Sequence, residues 1–159
     1  MLKGNAGAVA GQLPGAGGVS IGAGFVGQVV EQSIAVGSAV ALTTATPLTV
    51  TSISLTAGNW VLYAQIDFNL AAATTTILQG GPSGVTNTLT PQPGGSGIAP
   101  DALAIQLTTL VAVTGVYGIA SKPTYYVHTG TNTVYLVAQA TFSAGTVSAF
   151  GTITAIRYA

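Results

Sequence analysis

Charged side chains are scarce in this chain, and that scarcity restricts what it can fold into. Six of its 159 residues are Lys, Arg, Asp or Glu, and the formal net charge is zero. A typical soluble domain carries about a quarter of its residues as charged side chains. Because Lys, Arg and Glu are also good helix formers, their scarcity disfavours helices over most of the chain. With little charge to keep copies apart, we expect permanent association with other chains.

The composition also argues against several classes of function. Three Lys or Arg residues are too few for the electrostatic attraction that drives most nucleic-acid binding. Cys is absent, so neither a disulfide nor a thiolate metal site is expected. A G-x-G-x-x-G pattern at residues 22–27 precedes a Thr-rich, strand-like segment, whereas a dinucleotide-binding loop requires a helix there. We therefore expect no nucleic acid and no cofactor.

The chain divides into a glycine-rich arm, residues 1–32, and a domain, residues 33–159. Glycines and Pro14 make the arm a poor membrane helix, so no membrane partner is expected. The arm has more apolar side chains than a solvated linker, which predicts docking on a partner surface. The candidate anchoring residues are Leu2, Leu13, Val19, Ile21, Phe25 and Val26.

Residues 33–159 show the pattern of an all-β domain. The clearest strand is 60–70, where apolar residues alternate with more polar ones, as a half-buried strand requires. Glycine-containing turn signals predict hairpins over 124–142 and 133–158. The predicted fold is an antiparallel β-sandwich, jelly-roll-like, preceded by the extended arm. The predicted strands are 33–43, 48–56, 60–70, 74–79, 103–113, 115–120, 124–129, 133–142 and 147–158.

Two features of the predicted domain indicate contact with a partner. In the segment 133–142, Tyr135 and Val137 make the second face only weakly polar, so a sheet here would be covered on both sides. The segment 79–101 is rich in Pro and Gly and predicts a long loop, either exposed or lying on a partner.

Catalytic chemistry is poorly supported. The three acids, Glu31, Asp67 and Asp101, lie far apart in sequence, and paired carboxylates must converge on one bond. Asp67 is instead expected to pair with Lys122 or Arg157, because an uncompensated interface charge is costly. We expect no enzyme, no catalytic residues and no metal ligands within one chain.

The only histidine, His128, leaves one alternative open. A threefold axis could bring three copies of its ring around one ion, which would satisfy the need of a metal for several ligands. For Tyr125 and Tyr126, core and subunit packing is favoured over ligand recognition.

Two segments resemble a known module. The run from Val50 to Trp60, VTSISLTAGNW, and the ending from Tyr135 through Arg157, with YLVAQATFSAGT, are similar to a trimeric jelly-roll module of bacteriophage virion surface proteins. Such modules occur in tail fibres, spikes, head fibres and capsid decoration proteins. The chain departs from the pattern at Phe150, where tyrosine is common. The resemblance covers about 33–159 and implies no catalytic residues.

The resemblance implies a virion structural protein on the exterior of the particle. We expect a homotrimer attached through its arm to the major capsid protein or another virion protein, as a short surface projection or decoration. The alternative is a tail-fibre or spike knob that binds a receptor or glycan of the host surface through aromatic residues and the segment 79–101.

Overall fold

The computed structural model describes residues 24–89 and 103–159, and these residues are almost entirely β-structure. They form one antiparallel sheet and a single turn of 3-10 helix at Val36–Ser38, which confirms the predicted all-β class. The seven strands are β1 (Val29–Ile34), β2 (Val40–Ala41), β3 (Leu48–Leu55), β4 (Gly58–Ser83), β5 (Leu103–Ala120), β6 (Thr124–His128) and β7 (Asn132–Arg157).

Three long strands bend where two strands each had been predicted. The pairing of β4 with β5 and β7 shifts register between Leu70 and Ile77. The backbone adopts a left-handed conformation at Ala72 in β4 (φ 48°), at Ala112 in β5 (φ 52°) and at Gly145 in β7 (φ 71°). Such bulges bend a strand without ending it. The sequence-based division of each of these strands into two was therefore wrong.

Threonine hydroxyls complete the hydrogen bonding where the strands bend. The backbone N–H of Ala72 donates to Oγ1 of Thr114 at 3.0 Å. The backbone N–H of Ala112 donates to Oγ1 of Thr74 at 3.2 Å. Because a bulge interrupts the ladder and leaves backbone groups unpaired, these side chains stabilise the bends.

The bends fold the sheet back on itself into a sandwich. A Cβ added to Gly80 would collide with Cδ1 of Ile66, so two parts of β4 are in contact. In a straight strand, their separation of 14 positions in sequence would correspond to roughly 46 Å. The two halves share one core, which includes Leu55, Trp60 and Leu136.

The strand order is that of a jelly roll. Each of the three bent strands contributes two arms. Strands β1 and β2 together form one arm, β3 forms one, and β6 extends the second arm of β5, so the total is eight arms. They pair first with last, second with seventh, third with sixth and fourth with fifth. One half of the sandwich has the order β1/β2, β7, β4, β5/β6, and the other has β3, β7, β4, β5. The sandwich-like fold expected from the sequence is confirmed.

Several local predictions were wrong. The segment 33–43 is not one strand but contains the end of β1, the helical turn and β2. Strand β1 begins at Val29, so four residues before the predicted domain boundary pair with β7. The first part of the segment 79–101 continues β4 to Ser83. Within the described residues β6 pairs with β4, so the predicted hairpin 124–142 is absent. The predicted turn at 143–145 is the bend of β7, so the hairpin 133–158 is absent too.

The alternation predicted for residues 60–70 is confirmed. Trp60, Leu62 and Phe68 are fully buried, whereas Tyr63 is 42% exposed on the opposite face. The indole N–H of Trp60 donates to the backbone carbonyl of Thr56 at 3.0 Å, which satisfies its polar atom inside the core. This strand therefore presents a specific outer face, from which the candidate site is built.

Candidate functional site

The outer face of the half containing β1, β7, β4 and β6 carries a patch of exposed apolar and tyrosine side chains. Strand pairing sets Tyr125 opposite Val61, Val61 opposite Ile156, and Ile156 opposite Val29. In the adjacent row Val127 lies opposite Asn59, whose carbonyl accepts a hydrogen bond from the backbone of Tyr158. We call this set the Tyr–Val patch: Val29, Val61, Tyr125, Val127, Ile156 and Tyr158.

The Tyr–Val patch exposes more apolar surface than isolated surface residues would. Tyr125 is 71% exposed, Val127 60%, Val29 52% and Tyr158 43%. The rings of Tyr125 and Tyr158 meet edge to face, with centroids 5.8 Å apart, an arrangement that favours an ordered surface. The exposed area is on the order of 500 Å², near the upper end for a monomer and typical of interaction surfaces.

Two predicted anchoring residues lie beside this patch. Phe25 and Val26 are 56% and 64% exposed in the turn that leads into β1. The turn is held by the backbone N–H of Gly27, which donates to the carbonyl of Arg157 at 2.7 Å. Because the turn leads into a strand, the glycine pattern at 22–27 lacks the helix that phosphate binding requires. The other predicted anchoring residues, Leu2, Leu13, Val19 and Ile21, lie outside the described residues.

A shallow groove, whose lining offers some polar groups, adjoins the patch on the same face. Its volume is about 240 Å³, and it is lined by Tyr63, Ala64, Gln65, Ala120, Ser121, Thr152 and Thr154. The Thr154 hydroxyl donates to the Glu31 carboxylate at 2.9 Å, and the Gln65 amide donates to Asp67 at 3.2 Å. An aromatic ring beside hydroxyl and amide groups is a combination that suits a polyhydroxylated ligand.

The two described acids share this face without forming a pair. Glu31 lies opposite Thr154, which lies opposite Tyr63, and Asp67 is four residues further along β4. Two strand spacings and four residues place the acids roughly 16 Å apart. That separation exceeds the spacing of glycosidase carboxylate pairs, which reaches about 9.5 Å. Asp101 lies outside the described residues.

The predicted ion pair between Asp67 and Arg157 is wrong. Arg157 lies opposite Trp60, seven residues from Asp67 along β4, or roughly 23 Å in an extended strand. Its guanidinium lies over the Trp60 ring, 5.6 Å from the centroid, and donates to Oγ1 of Thr56 at 3.2 Å. The other predicted partner, Lys122, lies between β5 and β6, and its pairing with Asp67 stays a prediction.

His128 lies at the same end of the sandwich. Its ring lies 4.4 Å from that of Tyr126, whose hydroxyl accepts a hydrogen bond from Asn132 at 2.7 Å. Both ring nitrogens of His128 are buried, and neither makes a well-formed hydrogen bond among the described residues. Burial lowers the pKa of His128, and a loose contact with the backbone of Gly130 partly opposes this shift. Nitrogens buried in this way are poorly placed to meet copies of themselves around a shared ion.

Sequence reasoning missed the Tyr–Val patch because it assembles from four strands. The adjacent Tyr125 and Tyr126 indicated that one ring must face outward, but the pairing of β6 with β4 decided which neighbours that ring has. Among residues 24–89 and 103–159, no cluster of three or more metal-binding side chains occurs. Over the same ranges, no helix has the length and apolar character needed to cross a membrane.

No protein-family model matches the chain, and no curated protein matches it.

Proposed function

We propose that this chain is a non-enzymatic structural protein on the exterior of a bacteriophage virion. In this role it is a homotrimeric surface projection or decoration, attached to the major capsid protein or another virion protein through its N-terminal arm. The observation that carries the proposal is the Tyr–Val patch, a charge-free apolar area on the outside of a jelly-roll sandwich.

The distribution of polar groups supports a structural role over a catalytic one. The two described acids lie far apart, and each accepts a hydrogen bond from a neighbouring side chain. His128 is half-buried and packs against the ring of Tyr126 instead of lying beside either acid. The resemblance of the segments 50–60 and 135–157 to trimeric phage modules agrees with this assignment.

The position of Phe25 and Val26 supports attachment through the arm. Both side chains are exposed in the turn before β1, at the point where residues 1–23 join the domain. An attachment site here would bury two large apolar side chains whose exposure costs free energy, roughly 25 cal/mol per Å² of apolar surface.

Binding of the full chain to phage particles that lack this protein tests the proposal. The Phe25→Ser and Val26→Ser double variant should lose most of its cosedimentation with particles. Val36→Ser is the matched control, because Val36 is also exposed, at 53%, but lies in the helical turn after β1. If both variants bind as the original chain does, the arm is not the attachment site. If the original chain does not bind particles, the virion assignment fails.

The shallow groove supports a second candidate, binding of a host-surface glycan by a tail-fibre or spike knob. Tyr63 offers an exposed ring beside the Gln65 amide and the Thr152 hydroxyl. A glycan array probed with the full chain and with Tyr63→Ala tests this proposal, with Val116→Ala as a control for an exposed side chain outside both the groove and the Tyr–Val patch. Binding that depends on Tyr63 would favour the knob, and the absence of glycan binding would remove it.

A further inference from the structure

We infer that the Tyr–Val patch is the surface through which copies of this chain contact one another. The inference rests on the proposed homo-oligomer and specifies where it is held together. The occupant of the patch is a second copy of the chain.

The area of the patch is large enough for the central part of a protein interface. Without Phe25 and Val26, which are assigned to attachment, the patch exposes on the order of 500 Å². A standard stable interface buries about 800 Å² on each partner. Tyrosine is enriched in the centres of such interfaces, and charged residues are depleted there.

Electrostatics favour a copy of the chain over a charged partner. The patch contains no charged side chain: the guanidinium of Arg157 lies over Trp60 in the core, and Glu31 at the border accepts a hydrogen bond from Thr154. Among the patch residues themselves, an acidic or basic partner would find no opposite charge. A second copy has a formal net charge of zero and brings no repulsion.

Strand β6 forms an edge of the sheet next to the patch, and contact there with another chain would protect it. Strand β6 carries Tyr125 and Val127 and pairs with β4 on one side, and no strand of the described ranges pairs with its other side. Natural edge strands are protected by Lys, Pro or a bulge. Residues 124–128, TYYVH, contain neither Lys nor Pro, and the pair Lys122-Pro123 protects only the beginning of the strand. Contact with a second copy at the patch would shield this edge.

A charge placed in the patch tests the inference with the full chain. Val127→Lys should weaken association, because a buried unpaired charge is costly. The dissociation constant of the assembly, measured by sedimentation equilibrium, should rise at least tenfold. Val116→Lys is the matched control. Val116 is 55% exposed and lies opposite Asn69, roughly 26 Å along β4 from the residue facing Tyr125. The control should dissociate at the concentration found for the original chain.

The outcomes separate this inference from the proposed function. Tyr125→Ser adds no charge and should weaken association in the same direction, which guards against a folding defect in the lysine variant. Equal association of all variants, or equal weakening by Val127→Lys and Val116→Lys, would place the interface elsewhere and leave the virion assignment intact. A monomeric original chain at high concentration would overturn the inference together with the proposed homotrimer. An assembled original chain that does not bind particles would overturn the virion assignment and leave the inference intact.

Discussion

Replacement of Gly145 by Ala tests whether the bend of β7 builds the sandwich. Gly145 has φ 71°, and a Cβ at this position would collide with the backbone carbonyl oxygens of Ala71 and Ala72. Placing Ala in a left-handed conformation costs about 1 kcal/mol. Overpacking that displaces backbone costs about 1–3 kcal/mol more. We therefore expect Gly145→Ala to lower the free energy of unfolding by about 2–4 kcal/mol.

Gly130→Ala is the matched control for this prediction. A Cβ at Gly130 has no heavy atom within 4 Å, and its φ lies outside the left-handed range, so the change should shift stability by less than about 1 kcal/mol. Urea unfolding can be followed by the fluorescence of Trp60, which is the only tryptophan and is fully buried. All chains should be compared at one protein concentration, because association adds to apparent stability.

A small change in the free energy of unfolding would contradict this prediction. If the free energy of unfolding of Gly145→Ala lies within about 0.5 kcal/mol of that of the original chain, then residue 145 is not held in a left-handed bend against β4. In a thermal melt the expected loss corresponds to roughly 5–15 °C in Tm for a domain of this size.

Two further predictions concern the core end of the sandwich. Trp60→Phe removes the hydrogen bond to the Thr56 carbonyl and the indole ring beneath Arg157, and it leaves a cavity in the core. Calorimetry should show that the free energy of unfolding falls by about 2–4 kcal/mol. An unchanged Tm would contradict the packing of Trp60. Burial lowers the pKa of His128 in the folded chain below its value of about 6.5 in the unfolded chain. As the pH falls below that value, the unfolded chain therefore binds a proton first. The folded state loses stability until the pH reaches the folded pKa. His128→Gln should remove that part of the pH dependence in denaturant titrations between pH 7 and 5, and an unchanged slope would show that His128 is not its source.

The alternation in residues 60–70 was sufficient to predict a strand and to assign its faces. Trp60 and Leu62 are buried as predicted, and Tyr63 is exposed. This works because a strand points successive side chains to opposite sides, whatever its partners are. On the opposite face of 133–142, Val137 is fully buried, which agrees with the weakly polar second face predicted there, and its covering by a partner stays a prediction.

Glycine signals located the corners of the fold but not their kind. The residues around Gly145 predicted a hairpin, and the structure shows a bend in one continuous strand. A left-handed glycine suits both geometries, so the choice depends on what the flanking segments pair with. Thr44 shows the same dependence: its hydroxyl accepts from the backbone N–H of Phe142 at 2.9 Å, across 98 residues of sequence.

Composition and alternation were sufficient to predict the all-β class and the polarity of the clearest strand, and they show the scarcity of charge that favours association. The tertiary structure alone decided that β6 lies beside β4, that Arg157 lies over Trp60 away from Asp67, and that Tyr125, Val61, Ile156 and Val29 form one row. The physical reason is the range of the interactions involved. Alternation and composition act between neighbours in sequence, whereas strand pairing joins residues far apart in the chain, and only that pairing brings the Tyr–Val patch together.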